Sequence, residues 1–171
     1  FSIIGVLSVV LTGGIGLLKM SREWIILKEG LVPLVLGAAV LATAATRRPL
    51  ARIIMLNGDI VDLPKIESAL DSRGTRGRFD AALRRATFWV AGSFLLSSVL
   101  NFALASYIFT AGASAEEFNA QVGRMTALSF PVIALPTMVV LFYAMYRLFS
   151  EMGECTGLSL EESLRGKAEK K

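Results

Sequence analysis

Four apolar segments, at 1–18, 24–46, 87–109 and 128–149, divide this chain of 171 residues. Each is close to the ~20 residues that a helix needs to cross a hydrocarbon layer. Between Thr87 and Phe109 no charged residue occurs, and none occurs between Leu128 and Tyr146. A soluble helix bundle needs a polar stripe on each helix, and these two segments have none. In lipid a helix satisfies its own backbone, so such stretches are at home there. Composition agrees, because 54% hydrophobic and 19% charged residues would leave a small soluble domain with apolar surface it could not hide. The expected fold class is all-α: a polytopic membrane helix bundle of at least four transmembrane helices, with short amphipathic surface helices, in one domain over 1–171.

The basic residues between these segments fall on one side. Residues 47–86 carry nine of the eighteen Lys and Arg (Arg47, Arg48, Arg52, Lys65, Arg73, Arg76, Arg78, Arg84 and Arg85), and the stretch from Arg147 carries five. Residues 19–29 carry three and residues 110–127 only Arg124. Cytoplasmic loops retain Lys and Arg, so the loop 47–86 and the tail 150–171 are expected inside and the two sparsely charged connections outside. Trp24 and Trp89 at span starts, and Tyr143 and Tyr146 near a span end, stand where amphipathic rings prefer the headgroup level. The net charge of +4 then reads as anchoring beside anionic lipid. The expected partners are membrane lipids and other membrane proteins, with no nucleic acid.

The chain opens at Phe1 inside an apolar run with no basic flank. A signal peptide needs that flank and a cleavage site. Phe1 is therefore read as following missing sequence, with one or more helices before it and four spans as a minimum.

Catalytic chemistry is sparse. His is absent from the chain, which removes the commonest general base, the Ser-His-Asp and Cys-His arrangements and the usual zinc site. Cys155, the single cysteine, stands in the expected cytoplasmic tail without a disulfide partner and reads as an inert thiol. No catalytic residue, cofactor or metal is expected. Thr12-Gly13-Gly14-Ile15-Gly16 has the glycines of a phosphate loop but lies inside an apolar helix, so close packing is the expectation there.

Small residues recur three or four apart at Ala38, Ala42 and Ala45 on the second span and at Ser93, Ser97, Asn101 and Ala105 on the third. Each set shares a helix face and suits helix contact. Asn101, deep in its span, is expected to point inward, to an interhelical hydrogen bond or to a substrate or proton path. Lys28 and Glu29 lie near the outer end of the second span. One arrangement turns Glu29 inward to meet Arg124 while Lys28 snorkels; the other leaves both as interfacial charges that set helix depth. Pro131 and Pro136 interrupt the last span and are expected to kink it, for shape or for a gate.

The connections carry helix signals of their own. Ser114-Ala115-Glu116-Glu117 and Ser159-Leu160-Glu161-Glu162 are capping boxes. The first predicts a short helix on the outer surface, and the second a brief helix in the tail, set off from the fourth span by Gly153 and Gly157. Asp62 as N-cap and Pro64 in the first turn predict a helix whose stripe of Leu63, Ile66 and Leu70 lies on the membrane surface. The following residues 72–78, with Arg73, Arg76 and Arg78, read as a flexible basic segment, drawn to headgroups or an acidic partner or simply solvated.

In order and spacing the chain resembles the intracellular septation protein A family, inner-membrane-spanning proteins of bacteria. The residues carrying the resemblance are Gly13-Gly14-Ile15-Gly16-Leu17-Leu18, Trp24-Ile25-Ile26-Leu27-Lys28, Arg47-Arg48-Pro49-Leu50, Arg84-Arg85 ahead of Trp89, and Leu100-Asn101 followed by Ala103 and Ala105. The family pattern has a shorter cytoplasmic loop and an aromatic-rich outer segment. Here residues 67–78 extend the loop and Glu116-Glu117 makes the outer segment acidic, as in a distant relative. The resemblance implies a multi-pass protein of the bacterial inner membrane, its C-terminus cytoplasmic, that serves cell-envelope maintenance or division through protein contacts. An accessory subunit of a larger complex and a small-solute transporter or channel are the alternatives. The resemblance supplies no active residue.

Overall fold

The computed structural model describes residues 22–46, 49–56 and 61–163. The first apolar segment and its glycine-rich end lie outside the described residues. Helices make up most of the described residues: α1 (Arg22–Ala44), α2 (Leu50–Met55), α3 (Leu63–Ser72), α4 (Arg76–Ile108), α5 (Ala115–Ser129), a π-helical turn (Phe130–Ala134), α6 (Leu135–Thr156) and α7 (Leu160–Ser163). Among the described residues three stretches are long and apolar enough to cross a membrane: Arg22–Ala44 with 23 residues, Arg76–Ile108 with 33 and Ala115–Thr156 with 42. At 1.5 Å per residue even the shortest reaches about 35 Å, beyond a ~30 Å hydrocarbon core. Only 22%, 22% and 11% of their most apolar windows is buried within the protein. The remainder faces outward, which suits lipid and not water.

α1 lies along α4 on a seam of small residues. Gly30, Gly37 and Ala44 are all buried and recur every seven positions, with Ile26 one turn before the first. The backbones approach so closely that a Cβ on Gly37 would stand 3.1 Å from Phe94 Cβ, and one on Gly30 would stand 3.2 Å from Phe102 Cβ. Ser98 Oγ donates to the Gly30 carbonyl at 2.7 Å across this contact. Ala38, Ala42 and Ala45, expected at the seam, are exposed instead. Glycine permits the tighter approach, and the rotation of α1 that seats the glycines turns these alanines outward.

α4 begins eleven residues before its apolar part, and this overturns the reading of 72–78 as a flexible segment. Ser72 ends α3, Gly74 turns the chain at φ 63°, and Arg76 and Arg78 already belong to α4. Asp62 caps α3 as expected, accepting from the Lys65 amide at 3.3 Å, with Pro64 in the first turn. The apolar stripe of α3 does not lie on a surface, however. Ile66 and Leu70 are 0% and 3% exposed and pack with Phe79, Leu83 and Met152. The extended ends of α4 and α6 offer the stripe a protein partner, so it buries there.

The Ser114–Glu117 capping box forms in both directions. The helix it opens is not a separate surface element, because α5 passes through the π turn straight into α6. Pro136 has no amide to bond to the Val132 carbonyl, and the Leu135 amide instead reaches Phe130 O. Pro131 and Pro136 thus lie in or just after a widened turn of a continuous helix. Met125 and Ile133 cluster there with Ile26, Ala105 and Phe109.

α6 ends at Gly157, whose φ of 70° is left-handed and whose amide bonds to Gly153 O. Gly153 itself lies within α6, so Gly157 alone makes the break. The second capping box opens α7, with the Ser159 amide donating to Glu162 at 2.8 Å. The tail then docks on the start of α3: the Asp62 amide donates to Ser163 O at 3.0 Å, and Lys65 Nζ to Glu162 O at 3.0 Å. Thr75 Oγ1 donates to Cys155 O at 2.7 Å. The described parts of loop and tail therefore form one folded cap on this end of the helices.

Candidate functional site

Where α4 and α6 leave the apolar region together, they enclose a cavity of about 180 Å³ lined by Ala82, Arg85, Ala86, Trp89, Tyr143, Ala144, Arg147, Leu148 and Glu151. The helices run antiparallel, and each sets an aromatic ring and an arginine four residues apart on one face: Arg85 and Trp89 on α4, Tyr143 and Arg147 on α6. Buried Ala82, Ala86 and Ala144 keep the space between the helices open. The rings of Trp89 and Tyr143 meet edge to face, centroids 5.1 Å apart at 77°, a contact worth ~0.5–1.5 kcal/mol beyond its area.

Glu151 organises the charges. Its Oε1 accepts from Arg85 at 2.7 Å and lies 3.6 Å from Arg147, while its Oε2 faces the Arg78 Nε at 3.7 Å and has no hydrogen bond. Arg78 also pairs with Glu154. The Glu151 side chain is only 12% exposed, whereas Arg78, Arg85 and Arg147 are 54%, 58% and 56% exposed. An exposed ion pair contributes little to stability, so these arginines are not explained by the weight of their pairing alone. Three guanidiniums against two carboxylates leave one formal positive charge, displayed beside two aromatic rings.

The residues singled out from the sequence are dispersed over the fold. Lys28 and Glu29 pair with each other at 3.4 Å, so Glu29 does not reach across to Arg124, which is exposed on α5. Asn101 donates to Ser97 O at 2.8 Å and to Ser97 Oγ at 3.2 Å within its own helix. The interhelical bond expected of Asn101 belongs to Ser98. Ser98 and, one turn on, Phe102 face Gly30 of α1, and Asn101, adjacent to Phe102, is turned about 100° from that line. Arg73 packs against Gly157, and Arg76 pairs with Asp71 at 2.9 Å. Of the three loop arginines, Arg78 alone joins the cavity cluster, through Glu151.

Sequence reasoning named Arg85, Trp89, Tyr143 and Arg147 without joining them, and passed over Glu151. The usable signal was the four-residue spacing of Arg85 with Trp89, and of Tyr143, Arg147 and Glu151. Among the described residues no group of three or more His, Cys, Asp or Glu could hold a metal ion. Comparison with protein-family models, with curated proteins and with solved structures finds no match.

Proposed function

We propose that this chain is a non-enzymatic, multi-pass protein of a bacterial inner membrane, its basic end in the cytoplasm, that holds other membrane proteins together in envelope maintenance or division. The observation carrying this reading is the cap. Segments 80 to about 100 positions apart, before α4 and at or after the end of α6, are fastened to each other through Lys65 and Glu162, Asp62 and Ser163, and Thr75 and Cys155. Plain connectors between spans need no such fastening, whereas a rigid cap offers a fixed surface for partners. Orientation rests on the one-sided distribution of Lys and Arg. The resemblance to the septation protein family supplies the process.

The test is recovery of the tagged full chain in mild detergent, with identification of what co-purifies. Envelope or division proteins are expected, in amounts that fall when Gly157→Ala disturbs the cap. Impermeant labelling in intact cells should reach a cysteine placed at Ser114 and not one placed at Ser72. Substrate-dependent flux through liposomes holding the purified chain, with no membrane protein co-purifying, would replace this reading with that of a transporter.

A further inference from the structure

We propose that the cavity between α4 and α6 binds an anionic membrane phospholipid, its phosphodiester between Arg85 and Arg147 and its acyl chains along Trp89 and Tyr143. This rests on the membrane placement proposed above and adds a defined ligand to it.

The order of groups follows the layers of a bilayer edge. On both helices the ring stands one turn, about 5–6 Å, nearer the apolar region than the arginine, the relation of the headgroup-level aromatic belt to the phosphates beyond it. Trp89 and Tyr143 are each 46% exposed, so their rings bound the cavity and still face outward. At about 180 Å³ the space is below the ~300–1,000 Å³ of sites that engulf a drug-sized molecule. A headgroup phosphate fits while the chains remain outside.

Charge points the same way. The one formal positive charge left by Arg78, Arg85, Arg147, Glu151 and Glu154 matches the single negative charge of a phosphodiester. Each guanidinium has five N–H donors, and Arg85 spends one nitrogen on Glu151. The others remain to grip phosphate oxygens in the two-pronged geometry that arginine favours. Glu151 acts as a positioning residue: one oxygen, Oε1, draws both Arg85 and Arg147 to the same point.

The experiment is native mass spectrometry of the full chain, extracted into mild detergent and offered phosphatidylglycerol, phosphatidylcholine or inorganic phosphate. Phosphatidylglycerol should be retained over phosphatidylcholine, and inorganic phosphate should not displace it. The double variant Arg85→Gln/Arg147→Gln should weaken retention about 25-fold, since each arginine at an anionic surface is worth a factor of roughly five. Arg124→Gln should leave retention unchanged. If the double variant does not fold, Arg85→Gln alone and the comparison of lipids on the unaltered chain decide the matter. Equal retention of both lipids, or full retention by a folded double variant, overturns the site. Displacement by inorganic phosphate overturns the assignment to a lipid. Recovery of the chain from the soluble fraction of cells would sink the membrane placement itself, a result separable from any of these.

Discussion

Ser98 Oγ lies 2.7 Å from the carbonyl oxygen of Gly30 and donates to it, at one of the two close approaches of α1 to α4. The carbonyl is reachable because residue 30 has no side chain to stand between the helices. Seven residues on, Gly37 meets the Ala91 carbonyl and Phe94 in the same way.

Gly37→Leu should destabilise the helix pair by ~1–3 kcal/mol, because even a Cβ there is 3.1 Å from Phe94 Cβ and 3.4 Å from Ala91 O, and backbone cannot step aside cheaply. Ala38→Leu, on the exposed side of α1, should be close to neutral. Denaturation in mixed micelles, followed by helix signal or by a steric trap on α1, measures both. Equal effects at the two positions would mean that the seam is elsewhere.

Ser98→Ala should cost more than Asn101→Leu. The first removes a bond between helices, worth about 0.6 kcal/mol and at most about 1.7 in comparable cases, while the second removes bonds inside one helix turn. The same denaturation assay ranks the two variants, and a larger loss at Asn101 would contradict the geometry.

Arg22 clamps the end of α4, with Nε donating to Phe109 O at 2.6 Å and an Nη to Ser106 O at 3.0 Å. These carbonyls belong to the last turn, where helical partners run out and the dipole favours a cation. Arg22→Gln should loosen that turn by ~0.3–1 kcal/mol. Amide exchange at Ile108 and Phe109 should quicken while exchange at the middle of α4 does not.

Gly157→Ala should loosen the cap, since φ 70° disfavours any side chain and a Cβ there would overlap the Arg73 guanidinium. The handedness cost alone is about 1–2 kcal/mol. Cys155, 0% exposed and two residues before it, reports the change. Maleimide should label the native thiol slowly, the variant's thiol faster, and both alike after unfolding.

Acid should undo the fastening of α7. The Ser159 backbone amide, donating to the Glu162 carboxylate, holds that carboxylate below the usual range, with the Ser159 side chain adding to the effect. A lowered folded-state value means that the contribution is full above the unfolded value, near 4.3, and disappears as pH falls through the folded one. Protection of the α7 amides, taken relative to intrinsic exchange at each pH, should therefore fall on acidification below about pH 4, and Glu162→Gln should remove the step.

What sequence made legible was local. Asp62, Ser114 and Ser159 cap helices as their spacing predicts, because a cap depends on residues within one turn of itself. The long apolar runs became helices for a related reason: a run of ~20 apolar residues has few other ways to satisfy its backbone out of water. The candidate site was legible only in parts. Nothing local relates Arg85 to Glu151, which are 66 positions apart and meet only once two helices are in register.

The amino-acid sequence by itself determined the helical character of this protein, the apolar lengths and the helix ends, since each follows from neighbouring side chains and backbone hydrogen bonding. Tertiary structure decided which face of each helix is inside. Gly30 and Gly37 won the seam from Ala38 and Ala42 because close packing rewards the smallest side chain. Ile66 and Leu70 turned from a possible membrane surface to Phe79 and Leu83 because α4 extends far enough to cover them. A helix carries several faces that could pack, and periodicity ranks them poorly. The choice falls to the shape and polarity of the partner, and the partner comes from distant parts of the chain.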